Sequence, residues 1–319
     1  MSSRVCYKCK GSSTCVSTRH HFACKECFLN SIMRMFRGQI HKLKIPRKSR
    51  LVIAFSGGSC STALVELLYE AIYVSKSKLD FDVSLVYIDF DSIRDLIPLK
   101  RKVRSHIPFK SQRFPCTVIR AEKHPLFGGD PLRMQSIFKD LKSTDSKEDL
   151  MMIVRSHLLQ EHVRSLGDST YLLYGYTMDH VTENVLHSAS NAMGYMLAYS
   201  SSISSLKQIP NSNCWIGYPL GPCTSRELVL YCHYKNISFE TDFTFLSTSG
   251  ESVYRLARDM VELLQNECDS TVHIVTETVD KLQYCPETMS ESLQTCQLCG
   301  EFSNQPVCGR CLYVVKEDK

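Results

Sequence analysis

The chain has 319 residues, of which 43% are hydrophobic and 22% are charged. This composition excludes a disordered chain, and the length suffices for one or two domains of about 100–200 residues. No stretch approaches the roughly 18 consecutive apolar residues that a membrane span requires, and the first residues include lysine and cysteine in place of an apolar leader. We therefore expect a soluble protein that is not secreted, works in the cytoplasm and has no membrane segment.

Basic residues are concentrated at the start of the chain. Residues 1–50 hold 12 of the 38 Lys and Arg residues against the single acid Glu26. Between residues 34 and 50 they alternate with apolar residues, which predicts an amphipathic helix that runs into a basic linker. Charge alone fits a polyanion-binding surface and a solvated helix face equally well. The basic residues of this segment are Arg34, Arg37, Lys42, Lys44, Arg47, Lys48 and Arg50.

Closely spaced cysteines are the strongest chemical signal in the sequence, which holds 16 cysteines in all. In a reducing compartment, thiols paired at short spacing serve more often as metal ligands than as disulfides. Two sets of paired Cys-x2-Cys motifs each supply four thiolates, which suit a closed, tetrahedral, structural zinc site. An iron–sulfur cluster also accepts four thiolates, and unpaired buried thiols are the alternative without metal. The two sets are Cys6, Cys9, Cys24 and Cys27, and Cys296, Cys299, Cys308 and Cys311.

A regular alternation of strands and helices begins at residue 51. Residues 51–55 are continuously apolar, as in a strand buried on both faces, and a glycine turn and a helical pattern over 63–72 follow them. Such alternation, with right-handed crossovers, predicts a doubly wound α/β fold with a mainly parallel sheet. The other predicted elements are strands at 83–88, 116–119 and 171–174, a helix over 150–166 and a helix from 179.

The same features predict the domain organisation. We expect an N-terminal zinc module over residues 1–30, a basic helix and linker over 31–50, an α/β domain over 51–290, and a C-terminal zinc module with a tail over 291–319. Within the α/β domain, residues 123–147 are rich in Lys, Asp, Gly, Pro and Ser, which predicts a mobile loop.

The glycine turn after the first predicted strand is a candidate phosphate site. Glycines let backbone N–H groups crowd around an anion at the positive end of the following helix. The position at the carboxyl end of a parallel strand favours a ligand site over an incidental tight turn. The turn lacks the GxxxxGK[ST] pattern of the common P-loop. Its residues are Ser56, Gly57, Gly58, Ser59, Cys60 and Ser61.

Two motifs resemble a known group of enzymes. Residues 56–61 are similar to the SGGxDS pyrophosphate loop of enzymes that adenylate a nucleobase carbonyl before adding nitrogen or sulfur. Residues 175–186 are similar to the GHNxDDxAExVL motif of the tRNA-thiolating branch. With a cysteine set at each end, the chain resembles the cytoplasmic tRNA 2-thiolation protein 2 family, although residues 91–147 and 195–214 match poorly. The resemblance implies the PP-loop, adenine nucleotide alpha hydrolase-like fold.

The resemblance also implies a function. The family works as one subunit of a heterodimeric complex that adds sulfur to wobble uridine 34 of tRNA(Lys), tRNA(Glu) and tRNA(Gln). The sulfur arrives as a thiocarboxylate on a ubiquitin-like carrier, and ATP activates the uridine. We expect this chain to be the tRNA-binding scaffold beside a catalytic paralogue, with two structural zinc ions, and with ATP bound weakly or only by the partner. The basic residues of 34–50 are the candidate tRNA contacts.

Departures from the family pattern decide the expected role. Cys60 stands where the loop has an aspartate suited to holding magnesium on the triphosphate, and a neutral thiol replaces it poorly. In the active thiolases, two cysteines precede the helix arginine that Arg155 resembles, and a third follows the penultimate strand. Glu148, Met151 and Asp242 occupy those three places here. Asp179 of the second motif is retained, which suggests a vestigial nucleotide pocket and no catalytic residue in this chain.

Two other functions fit the sequence. The chain is a thiolase in its own right if Cys60 acts as a nucleophile, because a thiolate is favoured near a helix N-terminus. It is a zinc-finger nucleic-acid-binding module if the α/β domain only supports the cysteine sets.

Overall fold

The computed structural model describes residues 5–11, 15–18, 21–75, 78–96, 113–190, 194, 197, 199, 202–240, 252–267, 269–282 and 294–317. In chain order, its strands are β1 (Cys15–Thr18), β2 (His21–Cys24), β3 (Arg50–Ala54), β4 (Asp82–Asp89), β5 (Cys116–Arg120), β6 (Thr170–Tyr174), β7 (Lys207–Gln208), β8 (Trp215–Gly217), β9 (Gln294–Thr295) and β10 (Phe302–Ser303). Its α-helices are α1 (Lys25–Lys42), α2 (Ser59–Tyr69), α3 (Pro131–Asp140), α4 (Thr144–Ser165), α5 (Met178–Ser190), α6 (Ser225–Lys235), α7 (Val253–Glu267), α8 (Asp269–Asp280) and α9 (Gly309–Glu317).

Among the described residues, six strands form one sheet in the order β5-β4-β3-β6-β8-β7. Its neighbours pair in parallel except β7, which runs antiparallel to β8. Leu51, Val52 and Ile53 of β3 are fully buried, because helices cover both faces of a parallel sheet. The doubly wound α/β fold predicted from the sequence is therefore confirmed.

The strand order reverses between β3 and β6. The chain steps from β3 to β4 and β5 on one side of the sheet, and returns to β6 on the other side of β3. Ligands of doubly wound sheets bind where two neighbouring loops diverge in this way, at the carboxyl ends of the strands. The loops after β3 and β6 therefore meet at the expected ligand position.

Two apolar cores flank the sheet. One holds buried side chains of α1, α2 and α6, including Phe28, Phe36 and Tyr231. The other holds buried side chains of α3 and α4 together with Cys296, Cys299, Cys308 and Cys311. The C-terminal cysteine set is thus part of a main core. No described helix has the length and apolar character needed to cross a bilayer.

The prediction of a loop over residues 123–147 is wrong, because this segment contains α3 and the start of α4. The Asp130 carboxylate accepts a hydrogen bond from the backbone N–H of Leu132, and Pro131 occupies the first helical turn, so α3 has a regular N-terminal cap. Met134 and Phe138, four residues apart, are each 1% exposed. Their burial holds the helix against the core.

Candidate metal centres and phosphate loop

The C-terminal cysteine set is preassembled as a metal site. The sulfur atoms of Cys296, Cys299, Cys308 and Cys311 lie within 4.8 Å of one another, and all four residues are buried. The backbone N–H of Cys308 donates to the Cys296 sulfur at 3.3 Å, and hydrogen bonds from Cys299, Cys308 and Cys311 lower the pKa of the Cys296 thiol. Four converging sulfurs fit a tetrahedral ion such as zinc.

The N-terminal cysteine set has the same donors in a more open setting. The sulfur atoms of Cys6, Cys9, Cys24 and Cys27 also lie within 4.8 Å of one another, with Cys9 exposed and Cys27 half-buried. Hydrogen bonds lower the pKa of the Cys6 thiol to about 6, the largest contribution coming from the backbone of Cys9. The donor set fits a metal ion, and Cys27 lies in the first turn of α1. The module boundary predicted at residue 30 therefore falls inside a continuous helix.

Helix α4 carries the C-terminal set. The carboxylate of Glu301 accepts hydrogen bonds from the Ser156 hydroxyl at 2.8 Å and from the Gln160 amide at 2.7 Å. Arg310, between the last two cysteines, lies 3.2 Å from the Asp149 carboxylate. Buried side chains of α4 and the four cysteines belong to the same core. The domain boundary predicted at residue 291 therefore does not separate two cores.

The glycine turn after β3 forms the predicted strand–turn–helix unit. Gly57 has a φ of 81°, a left-handed conformation that favours glycine. The Ser56 and Ser61 hydroxyl oxygens lie 3.1 Å apart, and the Gly58 N–H donates to the Ser56 hydroxyl at 3.4 Å. Part of the turn's hydrogen-bonding capacity is thus used within the turn.

The loop after β6 touches this turn directly. A side chain at Gly175 would place its Cβ 3.0 Å from the Cα of Ser61 and 3.1 Å from the carbonyl carbon of Cys60. A methyl group at these distances would press on the backbone of the turn, which would have to move by a few tenths of an ångström, so the absence of a side chain at Gly175 lets the two loops approach closely. The two motifs singled out in the sequence therefore form a single site at the switch point of the sheet.

Asp179, the retained acid of the second motif, is held by the protein itself. Its carboxylate is buried and accepts hydrogen bonds from the backbone N–H of Ser225 and from the side-chain amide of Gln265. Glu183, one turn further along α5, forms an ion pair with Arg258 at 3.5 Å. Both carboxylates serve contacts with α6 and α7 in this structure.

Cys60 is half-buried, and its thiol favours the protonated form. Burial is the main cause that raises the pKa of its thiol to about 11, and the nearby Asp179 and Glu183 carboxylates contribute. A thiol with this pKa is protonated near neutral pH, and the thiolate is the nucleophilic form.

The chain resembles known proteins in sequence and in fold. No protein-family model matches the chain. The chain is 26% identical over 280 residues to cytoplasmic tRNA 2-thiolation protein 2 of Dictyostelium discoideum, covering 84% of this chain and 53% of that protein. It is also 26% identical over 307 residues to cytoplasmic tRNA 2-thiolation protein 1 of Schizosaccharomyces pombe, covering 91% of this chain and 83% of that protein. This chain is a homologue of the cytoplasmic tRNA 2-thiolation proteins.

A solved structure has the same fold over nearly the full length of both chains. The U34-tRNA thiolase NcsA from Methanococcus maripaludis, determined with its 4Fe–4S cluster, superposes with a TM-score of 0.67 at 16% identity, covering 99% of this chain and 97% of that one. The PP-loop-like fold expected from the sequence is therefore confirmed. The chain spans only about half the length of its Dictyostelium relative.

Glu148 and Met151 stand at the two α4 positions where active thiolases have cysteines, and both make contacts within the fold. Glu148 accepts a hydrogen bond from the Ser252 hydroxyl at 2.7 Å, and Met151 is buried in the core. Arg155, the helix arginine, has its guanidinium 5.5 Å from the centre of the Phe90 ring. The third position, Asp242, lies outside the described residues.

The predicted tRNA-binding residues divide into two groups. All seven except the half-buried Arg37 are exposed, and four of the exposed residues, Arg34, Lys44, Arg47 and Lys48, form the first group. The remaining three make contacts within the chain: Arg37 donates to the Ala71 carbonyl at 3.4 Å, Lys42 lies 3.7 Å from the Asp280 carboxylate, and Arg50 donates to the Leu166 carbonyl at 2.6 Å. Residues 44–48 precede β3, so they lie at the opposite edge of the sheet from the phosphate loop.

Sequence reasoning missed the contacts that join distant parts of the chain. Gly175 gave a signal as the first residue of its motif, although its need for close packing against Ser61 is visible only in the fold. The pairing of Asp149 with Arg310 joins residues 161 positions apart in the chain. No local pattern could have indicated it.

Proposed function

We propose that this chain is the non-catalytic, tRNA-binding subunit of a two-chain complex in the cytoplasm. A catalytic paralogue in that complex adds sulfur to wobble uridine 34 of tRNA(Lys), tRNA(Glu) and tRNA(Gln). The sulfur comes from a thiocarboxylated ubiquitin-like carrier. The two cysteine sets hold structural zinc, and the phosphate loop is vestigial, so that ATP binds weakly here or only in the partner.

The chemistry of Cys60 carries this proposal. It occupies the loop position of a metal-binding carboxylate, and its half-buried thiol, with a pKa raised to about 11, is neutral near pH 7. It offers neither the hard oxygen ligand that magnesium prefers nor a thiolate nucleophile. The hydrogen bonds to Asp179 from Ser225 and Gln265 support the same conclusion, because they occupy the acid retained from the second motif.

Catalysis by this chain alone is the second candidate function, favoured by the retained Ser56-Gly57-Gly58 turn. A simple zinc-finger module is a weaker candidate, because the C-terminal cysteine set is built into the core of the α/β domain. These candidates predict different behaviour of the isolated chain.

Reconstitution distinguishes the candidates. Transfer of labelled sulfur to a tRNA(Lys) transcript is measured with this chain, with the catalytic paralogue, and with both together. ATP–pyrophosphate exchange is measured in the same three samples. Our proposal expects neither activity from this chain alone, and faster sulfur transfer from the mixture than from the paralogue. Exchange or transfer by the isolated chain would show that it is an active thiolase, and failure to co-purify with the paralogue would contradict the two-chain complex.

A further inference from the structure

A cluster of three aromatic rings, of which Tyr73 is the exposed one, lies at the end of α2. The ring centres of Tyr69 and Tyr73 are 5.0 Å apart, and each lies 6.3 Å from the ring centre of Phe114. Tyr73 is 55% exposed and the adjacent Val74 is 68% exposed. Large apolar side chains grouped on a surface mark a contact site more often than isolated ones do.

The backbone presents this cluster to solvent. Residues Glu70–Val74 form a π-helical turn, and the Ser75 N–H closes it by donating to the Glu70 carbonyl at 2.8 Å. Such widened turns are rare and occur often at functional sites. The turn ends α2 with Tyr73 on the surface, beside Tyr69.

One cationic group lies over a ring of the cluster, and two acids nearby are paired with cations. The Arg113 guanidinium lies 4.3 Å from the centre of the Tyr69 ring, and forms an ion pair with Glu66 at 3.4 Å. Glu70, the residue after Tyr69, forms an ion pair with Lys235. Both acids therefore have cationic partners, which reduces the negative field that would repel a phosphate.

The cluster is continuous with the exposed basic residues that precede β3. Ala71, inside the π-helical turn, accepts hydrogen bonds from Arg37 at 3.4 Å and from the Leu79 N–H at 3.0 Å. Asp80 follows Leu79 in the chain, and its backbone carbonyl accepts a hydrogen bond from the backbone N–H of Lys48 at 2.6 Å. Aromatic rings and basic side chains thus share one edge of the molecule.

We propose that Tyr73 is a stacking platform for an unpaired nucleobase of the bound tRNA. Proteins that hold single-stranded RNA combine aromatic rings, on which bases stack, with a basic surface that follows the phosphates. Tyr73 supplies the ring here, and Lys44, Arg47 and Lys48 supply the phosphate contacts. This inference rests on the proposed function, because it assumes that the polyanion is tRNA.

The platform is remote from the phosphate loop. Helix α2 begins at Ser59 in that loop, and a helical rise of about 1.5 Å per residue places Tyr73 about 20 Å further along. The base on Tyr73 is therefore not one held at the loop. The platform fixes the orientation of the tRNA and takes no part in sulfur transfer.

Binding measurements with the full chain test the platform. The probes are a tRNA(Lys) transcript and an oligouridylate of about 12 nucleotides, within the usual site size for single strands. Tyr73→Ala is expected to weaken oligouridylate binding about 5- to 150-fold, the reduction expected for one stacked base. Tyr73→Phe keeps the ring and is expected to bind like the wild type. The slope of log K against log salt stays unchanged in both variants, because neither removes a phosphate contact.

Two matched variants serve as controls. Replacing Lys44, Arg47 and Lys48 by Ala should lower the salt slope by about 0.7 for each single-strand phosphate that these residues neutralise in the wild type. Leu132→Ala removes another exposed apolar side chain, on α3, and should leave binding unchanged. Circular dichroism and thermal denaturation establish that every variant is folded.

Each remaining outcome overturns the platform. Unchanged oligouridylate binding by Tyr73→Ala rules it out, and equally weakened binding by Tyr73→Ala and Tyr73→Phe points to the hydroxyl instead of stacking. If Tyr73→Ala binds RNA normally but no longer assembles with the paralogue, the cluster is a protein interface. Sulfur transfer by the reconstituted complex is measured separately, so failure of the platform and failure of the proposed function give different results.

Discussion

The guanidinium of Arg310 lies 3.2 Å from the carboxylate of Asp149, and this ion pair joins the C-terminal cysteine set to helix α4. Asp149 is 4% exposed and also accepts a hydrogen bond from the Tyr254 hydroxyl at 2.8 Å. Burial raises the pKa of the Asp149 carboxyl group, and Arg310 and Tyr254 oppose that rise. The ionised carboxylate therefore depends on these two partners.

Removal of this ion pair should destabilise the whole domain. Arg310→Met leaves the buried Asp149 carboxylate without its cation, which typically costs about 3–5 kcal/mol. We expect a decrease of about 3 kcal/mol in the free energy of unfolding, at the lower end of that range, because Tyr254 still donates to the carboxylate. Denaturant unfolding followed by circular dichroism measures it.

An exposed ion pair provides the control. Arg255→Met breaks the pair with Asp259 on α7, where the two groups lie 3.7 Å apart at the surface. The free energy of unfolding should decrease by less than about 1 kcal/mol. Equal effects of the two replacements would mean that the Asp149–Arg310 pair is not a buried link between the cysteine set and α4.

Glu148 should make stability depend on pH. Its pKa is raised to about 7 from a usual value of 4.5, mainly by burial and against the opposing hydrogen bond from Ser252. The folded chain binds this proton more tightly than the unfolded chain does. The resulting stabilisation is complete below about pH 4.5 and is lost as the pH rises to about 7. Glu148→Gln should flatten the free energy of unfolding across this window.

A second variant checks the assignment to Glu148. Ser252→Ala removes a hydrogen bond to the carboxylate, so the pKa of Glu148 should rise further and the window should extend to higher pH. Chemical unfolding at a series of pH values measures both variants. A Glu148→Gln protein with the wild-type pH dependence would assign the effect to another group.

The metal sites should differ in their effect on the fold. Elemental analysis is expected to find about two zinc ions per chain, one for each set of four sulfurs. Cys296→Ser should lose one ion and lower the unfolding temperature of the whole domain, because Cys296 lies in a main core. Cys6→Ser should lose the other ion and destabilise mainly the antiparallel pair of β1 and β2.

Hydrogen exchange separates these two effects. Protection should fall along α4 in Cys296→Ser and only around β1, β2 and the start of α1 in Cys6→Ser. Iron in place of zinc, or no metal with folded protein, would contradict the assignment of structural zinc.

The sequence predicts the elements whose signals are local. The unbroken apolar run Leu51-Val52-Ile53 indicates a strand buried on both faces, and the short cysteine spacing indicates two four-sulfur sites. The glycine turn is also identifiable, because a parallel strand and a helix flank it. In each case a few neighbouring residues determine the geometry.

Elements that depend on distant contacts are harder to predict. The segment that contains α3 is mostly polar, and Gly128 and Gly129 precede the helix, so its sequence favours a loop. Asp130 and Pro131 nevertheless form a recognisable helix start. The start of α1 has no such signal, since its N-cap residue, Cys24, makes no side-chain capping hydrogen bond. Packing against the rest of the domain determines these elements.

The last prediction tests the non-catalytic role through Cys60. Cys60→Ser should leave sulfur transfer by the two-subunit complex close to the wild-type rate, because burial already keeps this thiol protonated, with a pKa of about 11. A sulfur-carrying cysteine behaves differently, since a hydroxyl in place of a thiolate nucleophile usually lowers the rate by orders of magnitude. Replacing the catalytic cysteines of the paralogue is the positive control and should abolish transfer. Gly175→Ala is unsuitable as a probe, because its Cβ would lie 3.0 Å from Ser61, so a change in activity could reflect a shift of the turn instead of lost chemistry. If Cys60→Ser folds, assembles and binds tRNA normally yet loses transfer, this chain takes part in the chemistry and the non-catalytic assignment is wrong.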